Sequence, residues 1–107
     1  MYVIRIASDF AANPGARYRS DGPKSGEEFR GDMLEPRFLL AQEAGMKLVV
    51  DLDGTEGYAT SFLEEAFGGL ARKYSIASVL ATLDLVSLEE TDLLEEILSY
   101  IREANNQ

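Results

Sequence analysis

Between Lys47 and Tyr74 the chain changes its hydrophobic period once, across a glycine-punctuated turn, and no other feature narrows its possible folds so far. Leu48, Val49, Val50 and Leu52 make a short apolar run, the pattern expected of a strand covered on both faces. From Phe62 onward the apolar residues Phe62, Leu63, Ala66, Phe67, Leu70 and Tyr74 recur at helical spacing. A buried strand that feeds an amphipathic helix is the repeating unit of α/β sheets. Such sheets gather their working groups at the carboxyl ends of the strands, where Asp51, Asp53 and Gly54 stand here.

The rest of the chain extends that unit. Residues 2–7 (YVIRIA) read as a first strand, and residues 9–26 as a long polar connection in which Arg17–Arg19 are a candidate hairpin strand. Ser25 and Glu28 have the spacing of a capping box. The helix it would start draws its apolar face from Phe29, Met33, Leu40, Ala41 and Ala44, is kinked or restarted at Pro36, and is capped by Gly45. Residues 76–86 (IASVLATLDLV) read as a third strand, with Val79, Ala81, Leu83 and Leu85 on one face. Ser87 and Glu90 suggest another capping box, before an amphipathic helix marked by Leu94, Ile97, Leu98 and Ile101. The pattern predicts an α/β fold with a small sheet flanked by helices, as a single domain over residues 1–107. Leu48, Val50, Leu52, Phe62, Phe67, Leu70 and Leu83 are the expected core.

Composition removes several chemistries. There is no cysteine and no histidine in 107 residues. Disulfides, thiolate chemistry and the commonest general base and zinc ligand are therefore unavailable to the chain itself. The net charge of −9 opposes binding to a phosphate backbone. Residues 84–107 carry seven acidic side chains against Arg102 alone, the pattern of a solvated acidic face. No apolar run reaches membrane-spanning length, and a cytoplasmic location is expected.

Asp51-Leu-Asp53-Gly54-Thr55 at the end of an apolar strand resembles the first motif of haloacid-dehalogenase-type phosphatases. That resemblance implies a Mg²⁺-assisted reaction with Asp51 as nucleophile and Asp53 as acid/base. The lysine and paired aspartates that would complete it have no counterparts downstream, where Lys73 and Asp84 are isolated. The structural alternative is a strand end shaped by Asp53 and Gly54. Ser61 and Glu64 also match a capping box, so Ser61 reads either as a helix cap or as a phosphoacceptor at a helix N-terminus. Gly68 and Gly69 each cost about 1 kcal/mol relative to alanine inside a helix, which close packing against the sheet or, as the alternative, a partner contact would explain. Arg17, Arg19 and Lys24 in the polar loop are a candidate anion site, which would make the chain a small-anion sensor.

The segments RYRSDGPKSGEEFR, LVVDLDGTEGY and TSFLEEAFGGLAR resemble the STAS-like family of small bacterial domains of unknown function, over residues 4–101. The resemblance implies a fold like that of anti-sigma-factor antagonists, with a mixed sheet flanked by helices. It implies a non-enzymatic regulatory module that binds a protein, often a histidine-kinase-like ATPase, with no cofactor or metal. In those antagonists a phosphorylated serine in an Asp-Ser-Ser/Thr-Gly turn precedes the corresponding helix. Ser61 matches that position with Thr60 beside it, while Ala59 replaces the Asp and Phe62 the Gly. The expected partner-facing residues are Asp53, Gly54, Gly57, Thr60, Ser61, Phe62 and Glu65, because strand-to-helix loops are exposed and held by a rigid scaffold.

Overall fold

The strands form through three short apolar runs that lie side by side. In the computed structural model, which describes residues 2–104, β1 (Val3–Arg5), β2 (Leu48–Asp51) and β3 (Leu83–Val86) form a parallel sheet in the order β1-β2-β3. Ile4 pairs with Val50 and Val50 with Leu85, so these three share a face with Leu48 and Leu83. Val3, Val49 and Asp84 occupy the opposite face, as do Arg5, Asp51 and Val86. The mixed sheet that the resemblance implied is parallel throughout among the described residues.

Only the first face is packed. Ile4, Leu48 and Val50 are fully buried, whereas Val3, Val49, Asp51 and Val86 are half-buried and Arg5 and Asp84 exposed. The apolar run of β2 predicted cover on both sides, and this is corrected. With sequential strands in the order 1-2-3, right-handed crossovers send both connections to the same side of the sheet.

The first connection holds α1 (Gly26–Phe29), a π-helical turn at Arg30–Leu34 and α2 (Glu35–Ala44). Ser25 Oγ accepts from Glu28 N–H at 3.0 Å, as a cap should, but the Glu28 carboxylate accepts from Lys24 N–H rather than closing the box on Ser25. The π turn places one extra residue per turn just before Pro36, and this shifts the helical phase. Leu34, Phe38 and Ala41 are therefore buried, while Leu40 and Ala44, expected on that face, are exposed. Gly45 ends α2 at φ +69° with Gly45 N–H on Gln42 C=O and Met46 N–H on Ala41 C=O, a Schellman motif.

The second connection holds α3 (Thr60–Leu63), a π-helical turn at Glu64–Gly68, α4 (Gly69–Lys73) and α5 (Ile76–Thr82). Residues 76–82 were read as strand and are helix. Ser75 caps them by accepting from Ser78 N–H at 3.1 Å, which outweighs the β-branched content of a short segment. Only Leu83–Val86 of the expected strand is extended. Arg17–Arg19, a candidate strand, is irregular and runs into a 3-10 turn at Arg19–Asp21. α6 (Asp92–Arg102) packs on the second π turn, on α4 and on α5, so it joins the same helical layer. The seven residues expected in the core are all buried. No helix among the described residues is long and apolar enough to cross a membrane.

Candidate functional site

The carboxyl ends of β2 and β3 are tied together by one side chain. The two Asp53 oxygens accept from Ser87 Oγ (3.0 Å), Leu88 N–H (2.8 Å) and Glu89 N–H (3.2 Å). Gly54 N–H donates in return to the Glu89 carboxylate at 2.9 Å. These bonds, chiefly the one from Leu88 N–H, hold the Asp53 carboxyl below its ordinary value of 3.8. Asp51 Oδ1 accepts from Asp53 N–H at 3.0 Å. Gly54 and Gly57 supply the positive φ values of +92° and +134° that turn the chain away from the strand.

That arrangement bears on the paired aspartates. Asp53 acts as the clamp of the β3–α6 loop rather than as a free acid/base, and Asp51 stabilises the turn. The adjacent cleft, lined by residues that include Thr55, Tyr58, Glu89 and Glu90, has a volume of about 50 Å³, room for a few water molecules. The Tyr58 hydroxyl donates to Leu52 C=O at 2.7 Å, and burial pushes its pKa up to about 12. The clamp leaves Leu88 projecting from a fixed backbone at 87% exposure, the most exposed large apolar side chain among the described residues.

Ser61 is not the cap of its helix. The helix begins at Thr60, the cap position is Ala59, and no side chain satisfies it. The Glu64 carboxylate, which a capping box would turn back toward Ser61, instead lies 2.5 Å from both Arg17 and Arg72. Ser61 is half-buried at the second helical residue, with Thr60 and Ala59 exposed beside it. Phe62 and Glu65, both expected on the partner-facing surface, are buried at 0% and 8% exposure. Helical geometry turns them inward: Phe62 contacts Phe29, and Glu65 pairs with Arg30. Asp53, Gly54, Gly57, Thr60 and Ser61 remain at the carboxyl end of the sheet.

The expected anion site is not assembled. Arg17 pairs with Glu64 and Glu65, Arg19 with Asp32, and Lys24 lies over the Phe10 ring. What sequence reasoning missed is the ionic network of Arg17, Arg30 and Arg72 with Glu64 and Glu65, and this network explains the paired glycines. A Cβ at Gly68 would meet the Glu64 carboxylate and Arg72, and one at Gly69 would meet the Arg30 guanidinium. They admit charged side chains across the helix, where packing against the sheet had been expected. The signal was the stripe Glu64-Gly68-Arg72, an acid and a base on one helix face with a glycine between them.

The network and the clamp make stability sensitive to acid. Arg72 foremost, then Arg17, holds the Glu64 carboxyl below its ordinary value of 4.5, and Asp53 is lowered as described. A carboxyl depressed in the folded state contributes stability above its unfolded pKa and loses it as the pH falls. Denaturant unfolding is expected to give constant stability from about pH 7 to about pH 5 and a decline below about pH 4.5. Glu64→Gln should make that decline shallower; an equally steep decline in the variant would show that Glu64 does not contribute.

A family described as a STAS-like domain of unknown function matches residues 25–93, a span that runs from the α1 cap through the clamp loop to the start of α6. No curated protein and no solved structure matches.

Proposed function

Because the chain belongs to the family of STAS-like domains of unknown function, we propose that it is a non-enzymatic regulatory module that binds a partner protein through the carboxyl end of its sheet and is switched at Ser61. The observation that carries this reading is the position of Ser61. It stands half-buried on the first turn of its helix with no capping role, next to exposed Thr60. The free N–H groups of a helix start favour an added phosphate. The nearby clamp supports the reading, since it presents Leu88 on a loop held by two backbone N–H groups and the Ser87 hydroxyl, and a rigid apolar anchor is what a docking surface needs. A histidine-kinase-like ATPase is the proposed partner and phosphate donor, on the resemblance to anti-sigma-factor antagonists.

Ser61→Ala and Ser61→Asp test the switch apart from the fold. Without a cap to lose, Ala is expected to change unfolding free energy by less than about 0.5 kcal/mol. Asp should leave the fold intact and weaken binding of a histidine-kinase-like ATPase by about tenfold or more, through charge placed in the interface. Equal affinity of both variants and the parent chain in a titration would remove Ser61 from the binding surface.

A further inference from the structure

The two edges of the sheet differ in how their backbone groups are used. Tyr2 C=O accepts from Val49 N–H, so the alternation of the strand turns Val3 and Arg5 to the outer edge of β1. There Val3 C=O accepts from Arg37 at 3.0 Å and Arg5 N–H donates to Asp9 at 2.8 Å. Side chains thus block the β1 edge. On β3, Leu52 N–H donates to Val86 C=O, so Asp84 and Val86 face β2 while Leu85 directs its N–H and C=O outward. Among the described residues nothing hydrogen-bonds to those two groups.

An apolar groove runs beside that free edge. Val79 and Leu80 of α5, Leu83 and Leu85 of β3, and Leu94 and Leu98 of α6 line about 160 Å³. We infer that the outer edge of β3 and this groove together dock an extended segment of a partner protein, apolar at alternate positions with Lys or Arg between them. Pairing with Leu85 supplies main-chain hydrogen bonds, and every second side chain of the added strand enters the groove. The intervening side chains fall on the open side of the sheet beside exposed Asp84.

Charge selects the occupant. Asp84 flanks the edge, and exposed Glu95 stands one turn from Leu98 on α6. Residues 84–107 carry seven acidic side chains against Arg102 alone. A second copy joined edge to edge would set two such acidic regions against each other, whereas a basic strand neutralises them. The surface uses neither Ser61 nor the turn before it, so it stands independently of the proposed switch.

The test is amide NMR of the full chain titrated with a blocked octapeptide alternating valine and lysine, at physiological ionic strength. The expected result is saturable shifts at Leu83–Val86 and along the Leu94 and Leu98 face of α6. Leu98→Lys, at a half-exposed wall, and Asp84→Lys, at an exposed position, should each weaken binding by about tenfold. The matching valine–glutamate peptide should not bind. No shift with the lysine peptide, shifts scattered over the acidic surface, equal binding of the glutamate peptide, or affinity unchanged in both variants would overturn the proposal. So would a dimer of the chain built on the β3 edge.

Discussion

Phe67→Ala is expected to lower the unfolding free energy by about 3–5 kcal/mol. Phe67 is fully buried and lies 6.2 Å from Phe29, ring centre to ring centre. Phe29 in turn contacts Phe62 at 5.8 Å and Phe10 at 5.2 Å. Removing one ring from this cluster loses its transfer free energy and leaves a cavity that its neighbours cannot fill. α1 and α3 already touch backbone to backbone: a Cβ at Gly26 would stand 2.5 Å from the Phe62 carbonyl oxygen. A loss of this size is a large share of the stability of a domain this small. Denaturant unfolding followed by circular dichroism measures it, and a midpoint equal to that of the parent chain would mean that the ring is not in the core.

The second large effect is expected at Glu65. Its carboxylate lies 2.5 Å from Arg30, which also donates to the Glu65 backbone carbonyl at 2.7 Å, and 3.4 Å from Arg17. Glu65→Ala leaves the Arg30 guanidinium, with a side chain only 20% exposed, without its counter-ion, at a cost of about 3 kcal/mol. Removing both charges together is different, because the desolvation of the pair is relieved as well. The double variant Arg30→Met with Glu65→Leu should therefore recover most of the loss. If the double variant is as unstable as the sum of the two single ones, the pair is not coupled as its geometry requires.

The legible part of the fold is the part in which local pattern and tertiary structure agree. The β2 run, its turn and the helix after it were readable because burial there follows a simple period, and all seven predicted core residues are buried. The segment 76–82 misled because its apolar and β-branched residues suit a strand, while the Ser75 cap and packing against α4 and α6 make it helical. Leu40 and Ala44 misled because a π turn upstream moves the phase of the helix, and no period counted at 3.6 residues anticipates that. The open face of the sheet was hidden because strand order, which sets the side of each crossover, is not written in any one strand.

At the candidate site the type of residue was legible and its partners were not. Asp53 was readable as a strand-end aspartate, but its three donors come from residues 87–89, distant in sequence. Ser61 showed the spacing of a capping box, yet Arg17 and Arg72 hold Glu64 away, and Arg17 comes from a loop that sequence alone could not bring near. Phe62 and Glu65 were placed on the surface by proximity to the turn, whereas the helix start rotates them into the core.

The most direct test of the account is the modification state of Ser61. Trypsin releases Leu48 to Arg72 as one peptide, since no Lys or Arg lies between Lys47 and Arg72. Fragmentation mass spectrometry of that peptide, from protein isolated with its phosphorylation preserved, is expected to place a phosphate on Ser61. A peptide found only unmodified across growth conditions, or phosphate confined to another residue such as Thr55 or Thr60, would contradict the assignment of Ser61 as the switch.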